Sequence, residues 1–255
     1  MIIDTPNNEQ ISELRELWKE NFGDTDEFLD LFFGMAFSKD RCRCVSIDGK
    51  TVASLYWFDC EYDGKRVAYL YAISTSVSQR GKGICSELMR DTHAYLESQG
   101  YAMSILVPAT NPLFSFYERL GYVTCTSVSE TLVCASYDKI ELERIGSKEY
   151  GALRKQMLPD GSVIQEAENL AFLNILADLY KCDGAIFALQ KGNDTETLRV
   201  VELLGDKSIA PSIIGTLGYE KAIVRTQGEE KEFSMCFSLC EKDIALPKYF
   251  GLAFD

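Results

Sequence analysis

The chain has 255 residues, 46% of them hydrophobic, enough to bury a full core and too apolar for disorder; the length suits one large domain or two small ones. Its 26 Lys and Arg face 39 Asp and Glu, and the resulting charge of -13 leaves no basic stripe to replace phosphate counterions, which argues against a nucleic-acid partner. No run approaches the ~18 apolar residues that span a bilayer. The opening Met1-Ile2-Ile3-Asp4-Thr5-Pro6 has no basic flank and no sustained apolar run, so a cytoplasmic protein without membrane contact is expected.

Ile11, Leu14, Trp18 and Phe22 recur at helical spacing. Asp24-Thr25 then reads as the cap of a second helix carrying Phe28, Leu29, Phe32, Phe33 and Phe37. Strand-like runs over 42–47, 52–61 and 66–74 are separated by Asp48-Gly49 and Asp63-Gly64, strong hairpin signals, and predict an antiparallel meander. A helix faced by Ile84, Leu88 and Tyr95 ends at Gly100 and leads to a strand over 101–107. A helix over 112–120 and a hairpin over 122–137 follow.

Beyond Ser136 enough chain remains for a second small domain. Helices over 147–157 and 164–181 precede Asp183-Gly184, after which strands are expected at 185–190, 198–204, 222–225 and 233–239. This order repeats the plan of the first half, and Leu217-Gly218-Tyr219 echoes Leu120-Gly121-Tyr122. The reading is an α+β chain with a mixed, mostly antiparallel sheet flanked by helices over 1–137, then a smaller α+β domain over 138–255.

The nine cysteines are odd in number, form no Cys-x-x-Cys and fall partly in apolar runs, which fits reduced thiols rather than disulfides. Cys42-x-Cys44 has only Asp40 and Asp48 nearby and no histidine, so no metal is implied. His93 lies roughly 15 Å along its helix from Gly83 by rise per residue and is given no role.

The most informative segment is Gln79-Arg80-Gly81-Lys82-Gly83-Ile84-Cys85, a two-glycine turn opening a helix. Glycines let successive N–H groups face one point and the helix adds its partial positive end, so the turn is built to hold an anion. Neither Walker A nor the Gly-x-Gly-x-x-Gly dinucleotide pattern fits. Downstream stand Asn111 and Phe116-Tyr117-Glu118-Arg119-Leu120-Gly121-Tyr122.

Together these segments resemble the GNAT superfamily of acyl-CoA-dependent N-acyltransferases over residues 45–125, and the expected architecture is similar to the GNAT fold. The resemblance implies acetyl-CoA as co-substrate, with its pyrophosphate held by the family's Arg/Gln-x-x-Gly-x-Gly/Ala pattern, here on Arg80, Gly83 and Cys85, with Gly81, Lys82 and Ile84 in the same turn. Cys85 departs from the usual Gly or Ala. Ile73, Ser74 and Thr75 occupy the strand end whose backbone receives the pantetheine arm, and Asn111 opens the second signature. The two-part plan is similar to the two-GNAT-domain acetyltransferases of the enhanced-intracellular-survival type, with the second half a degenerate repeat. In those proteins the terminal carboxylate enters the first domain's active site, which points to Asp255; the aromatic Tyr249-Phe250 end suits an inserted tail, or a segment packed on the second domain.

The implied reaction is direct attack of a primary amine, on a small molecule or a peptide, at the acetyl thioester. Such an amine, with a pKa near ~10.4, is mostly protonated at neutral pH and must lose a proton. Tyr117 stands at the family's general-acid position. For the base, Glu61 and Asp59 share one strand face, Glu118 neighbours the donor, Asp255 is the tail option, and a water chain to bulk serves as well. The acidic surface suits a cationic acceptor. The alternative reading is a catalytically silent acyl-CoA-binding module with a regulatory or interaction role. Acceptor, acyl length and homo-oligomer formation stay open.

Overall fold

A computed structural model describes residues 1–166, 168–191, 197–240 and 244–253. In chain order the elements are β1 (Ile2–Asp4), α1 (Gln10–Phe22), α2 (Asp26–Met35), β2 (Cys42–Ile47), β3 (Lys50–Tyr62), β4 (Lys65–Thr75), α3 (Ile84–Ser98), β5 (Met103–Leu106), α4 (Asn111–Glu118) and β6 (Val123–Cys134). They continue with β7 (Glu143–Arg144), α5 (Ser147–Met157), β8 (Ile164–Gln165), α6 (Glu168–Leu176), β9 (Ala177–Cys182), β10 (Ala185–Gln190), β11 (Leu198–Gly205), α7 (Ala210–Leu217), β12 (Lys221–Gln227) and β13 (Lys231–Ser238).

Two compact units divide the chain, and neither is one continuous stretch: the first takes Met1–Leu106, Ser115–Tyr122 and Cys236–Ile244, the second Val107–Phe114, Val123–Met235 and the chain from Ala245 on.

In the first unit β1 to β4 pair in sequence order, all antiparallel, and β5 adds parallel to β4. Both Asp-Gly turns are as expected, with Asp48 and Gly49 at φ 50° and 77° and Asp63 and Gly64 at φ 51° and 67°, the paired positive φ values of a tight hairpin. Alternation divides β3 between two faces. Tyr56 and Phe58 join Trp18, Phe32 and Tyr71 beneath α1 and α2, while Trp57 contacts Tyr95 of α3. The Thr25 hydroxyl accepts from Phe28 N–H and caps α2, as the sequence suggests. Chain from the far end closes the β5 side, where Leu239 N–H donates to Ala102 O at 2.9 Å.

In the second unit the strand order is β6-β12-β11-β10-β9-β7, antiparallel except for the parallel β11–β12 pair. Strand alternation packs Ile186 and Ala188 against Tyr150, Leu170 and Leu173 of α5 and α6, and Ala185 and Phe187 against Ile213 and Ile214 of α7. The run β9-β10-β11-α7-β12 therefore repeats β2-β3-β4-α3-β5: a meander, a helix, then a parallel strand. Gly218 ends α7 as Gly100 follows α3, so the Leu217-Gly218-Tyr219 echo aligns the wrong pair of helices.

Three expectations change. The hairpin over 122–137 is one strand, β6, because Val123 to Cys134 contains no Gly, Pro, Asn or Asp to turn the chain. The helix over 164–181 is confined to Glu168–Leu176: Ile164–Gln165 form strand β8, and its tail is β9, paired with β10 through the Asp183-Gly184 turn. Strands β1, β7 and β8 and helix α7 are additions.

Candidate active site

β4 pairs with β5 only from Val67↔Met103 to Tyr69↔Ile105, although β4 runs on to Thr75. Past Tyr69 the two strands part, and the edge of β4 loses its ladder partner. On its other side β4 carries a bulge: Tyr71 faces Tyr56 and Ser74 faces Ser54, so two residues, Ala72 and Ile73, oppose one. Ala72 takes φ 48°, unusual for a residue with a Cβ, and the bulge re-aims the backbone where the strands separate. Ser74 is pinned by its hydroxyl, 3.1 Å from that of Ser54.

From Thr75 the chain makes a short 3-10 turn and enters the glycine loop, where Gly81 and Gly83 hold φ 76° and 79°. Only glycine adopts this region without strain, and the loop curls because both positions are glycine. Gly83 directly precedes α3 with no side-chain cap, so the first-turn N–H groups of α3 face outward. A Cβ added at either glycine would meet nothing within 4 Å, so the loop is open to a ligand.

Arg80 reaches back to donate from Nε to Thr75 O (3.2 Å) and from Nη2 to Asn21 Oδ1 (2.8 Å); Lys82 Nζ bonds Gln79 Oε1 at 2.9 Å. Glu20 accepts from Val77 N–H at 3.2 Å, so the C-terminal end of α1 fastens the loop through Glu20 and Asn21. Neither residue carries a sequence signal for this role, nor does Ala72 for the bulge. Ile84 is buried, and burial pushes the Cys85 thiol up to about 11, against the pull of the Thr75 hydroxyl. Thr75 and Cys85 thus bring strand end and helix start together.

Tyr117, on α4, is buried within electrostatic reach of Cys85, and burial pushes its phenol well above the usual range. Its ring packs edge-on against Tyr122, and its hydroxyl hydrogen-bonds to no described residue. Asn111 opens α4 and is exposed.

Glu61 is not brought here. It is exposed beside the Asp63-Gly64 turn, opposite Arg66, seven residues along β3 from Ser54, or roughly 23 Å at strand rise. Asp59 is occupied at the same end, accepting from Tyr101 OH and pairing with Arg41 at 3.4 Å and Arg66 at 3.5 Å. Asp255 lies outside the described residues; the segment before it, Tyr249 to Ala253, is buried in the second unit, where Tyr249 OH donates to Glu202 Oε1 at 3.0 Å. Among the described residues no cluster of His, Cys, Asp and Glu suits a metal, all nine cysteines are free thiols, and no helix is long and apolar enough to cross a membrane.

A sequence model of the GNAT acetyltransferase domain matches residues 3–125. No curated protein sequence matches the chain. Among solved structures, a GCN5-related N-acetyltransferase from Anabaena variabilis superposes with TM-score 0.71 at 18% identity, over 94% of this chain and 73% of that one. Eis1 from Mycobacterium abscessus gives 0.66 at 12% identity, over 93% and 73%. A tandem GNAT protein from the clavulanic acid biosynthesis pathway gives 0.56 at 10% identity, over 95% and 100%. At these identities the structures speak for the fold alone: residues 3–125 match the GNAT acetyltransferase domain, and the chain shares the fold of these GNAT proteins, the tandem one included.

Proposed function

We propose that the chain is an acetyl-CoA-dependent N-acetyltransferase that acylates a primary amine of a small molecule or peptide by direct attack. The observation that carries this reading is the continuous path from the bulged, unpaired end of β4 through Gly81 and Gly83 to the uncapped start of α3. Ile73, Ser74 and Thr75 would offer backbone groups to an extended pantetheine arm. Gly81, Lys82, Gly83, Ile84 and Cys85 would offer N–H groups to the pyrophosphate, with Arg80 and Lys82 supplying positive charge in an acidic protein. The half-buried Cys85 narrows the cradle slightly against the family's Gly or Ala, and Asn111 would hold the cofactor from α4.

When bound, acetyl-CoA supplies an activated thioester. Tyr117 holds a proton on a phenol that burial keeps protonated, and donates it to the leaving thiolate. The amine loses its proton to water or to the tail carboxylate of Asp255. Glu61, at the far end of β3, takes no part. The second unit repeats the β-α-β plan with a shorter α7 and no glycine pair before it, and we assign it no cofactor site.

The test is release of free coenzyme A thiol from acetyl-CoA with a panel of primary amines. Amine-dependent release supports the reading; cofactor binding with no turnover of any amine would leave the silent binding module.

A further inference from the structure

Both cations of the glycine loop are held by side-chain amides and by no carboxylate. Arg80 donates from Nη2 to Asn21 Oδ1 at 2.8 Å and from Nε to the Thr75 carbonyl at 3.2 Å, and Lys82 Nζ donates to Gln79 Oε1 at 2.9 Å. Neither cation enters an ion pair among the described residues. A carboxylate is at hand all the same: Glu20, the neighbour of Asn21, accepts instead from Val77 N–H at 3.2 Å and from the Ser76 hydroxyl at 3.4 Å.

The amide of Asn21 is itself fixed. Its Nδ2 donates to Leu17 O at 2.8 Å within the last turn of α1, which turns Oδ1 to Arg80. The end of α1, closed by Gly23 at φ 73°, adds the partial negative charge of its last carbonyls, which favours a guanidinium there. An amide oxygen accepts a hydrogen bond without bringing a net charge. Aspartate at 21 or glutamate at 79 would accept the same bond more strongly and would cancel the charge of the cation it holds. The two amides therefore fix the cations in place and spare their charge.

That distinction matters because a chain of charge -13 repels a polyphosphate ligand as a whole, and only a local positive field offsets the repulsion. We propose that Asn21 and Gln79 are positioning residues for the cofactor, holding Arg80 and Lys82 beside the cradle as uncompensated charges for its phosphates. The proposal rests on the acyltransferase reading, from which it takes acetyl-CoA as the ligand of the loop. It goes further by assigning the loop's charge to two neutral residues, one of them on α1, more than fifty residues upstream of the cradle in the chain.

The experiment is calorimetric titration of the full chain with acetyl-CoA at about 0.05 M and about 0.5 M salt, for the wild type, Asn21→Asp and Gln79→Glu. Gln99→Glu is the control of equal charge, placed beyond the far end of α3, roughly 22 Å from the cradle at helical rise. Both cradle variants keep an acceptor of nearly the same shape, so residues that only held the loop in place would tolerate the change. Each should instead weaken acetyl-CoA roughly tenfold at low salt, with the gap to the wild type closing at high salt, while Gln99→Glu matches the wild type. Asn21→Ala should weaken binding severalfold in the wild type and have no further effect in the Arg80→Gln background. Wild-type affinity in both cradle variants, a loss that salt does not reduce, an equal loss in Gln99→Glu, or a full Asn21→Ala effect without Arg80 would each overturn this proposal and leave the acyltransferase reading standing. Absence of binding by the wild type at millimolar acetyl-CoA would overturn both.

Discussion

The His93 imidazole lies flat on the Phe237 ring, centroids 4.1 Å apart and planes 12° from parallel. His93 Nε2 meets Tyr122 OH at 2.8 Å, and Tyr122 OH meets Ser104 Oγ at 2.8 Å. Residues from α3, β5, the turn after α4 and the distant end of β13 thus close one largely buried knot in the first unit. The lone histidine, a tempting catalytic base in the sequence, is a packing residue.

Burial lowers the His93 pKa to about 4, from an ordinary value near ~6.5. The native state keeps the ring neutral while the unfolded chain takes up a proton below pH ~6.5, so stability is unaffected above that pH and falls as pH drops from ~6.5 to ~4. The loss approaches ~3 kcal/mol at the lower limit. Urea unfolding at pH 7.5 and 4.5 checks this: His93→Gln should show a visibly smaller acid loss than the wild type, and identical losses would remove His93 as the cause.

Because Phe237 and Leu239 complete the first unit, a fragment of residues 1–137 should not fold alone. It lacks the chain beside β5, leaving a strand edge and an apolar His93–Tyr122 face open to aggregation. Circular dichroism and light scattering on the fragment check this, with aggregation or partial folding expected. A monomeric fragment with cooperative unfolding would contradict it.

Tyr117→Phe should cut turnover by ~10²- to 10⁴-fold while acetyl-CoA affinity stays nearly constant. Since burial raises the phenol pKa, the wild-type rate should show no loss from this group up to the ordinary phenol value near ~10. Steady-state rates against pH, with a separate binding measurement, distinguish a proton donor from a ring that only packs.

In the second unit Arg154 grips Glu202 through two bonds of 2.9 and 3.0 Å, and Tyr150 and Tyr249 donate to the same carboxylate, all of them buried. Arg154→Met would strand the Glu202 charge and should cost ~3–5 kcal/mol, whereas Arg154→Met with Glu202→Leu should recover most of it. Thermal unfolding of the two variants decides the point.

What the sequence made legible was local. The Asp-Gly turns, the Thr25 cap and the glycines of the cradle carry their geometry in residue type. The bulge does not, because Ala72 adopts φ 48° through its two-against-one register with β3 rather than through its own preference. The placement of residues 236–239 beside β5 is a non-local pairing that no spacing announces. Glu61 is a different kind of miss: counting back from Asp63-Gly64 pairs it with Arg66, which already places it at the hairpin end rather than near Ser74.

The most direct test of the central claim is calorimetric titration of acetyl-CoA into the wild type and Gly83→Asp, which adds a carboxylate and a strained positive φ at the mouth of the cradle. The account predicts 1:1 binding by the wild type and its loss in a variant that remains folded. Failure of the wild type to bind, or equal binding by both, would contradict an acyl-CoA site at the start of α3.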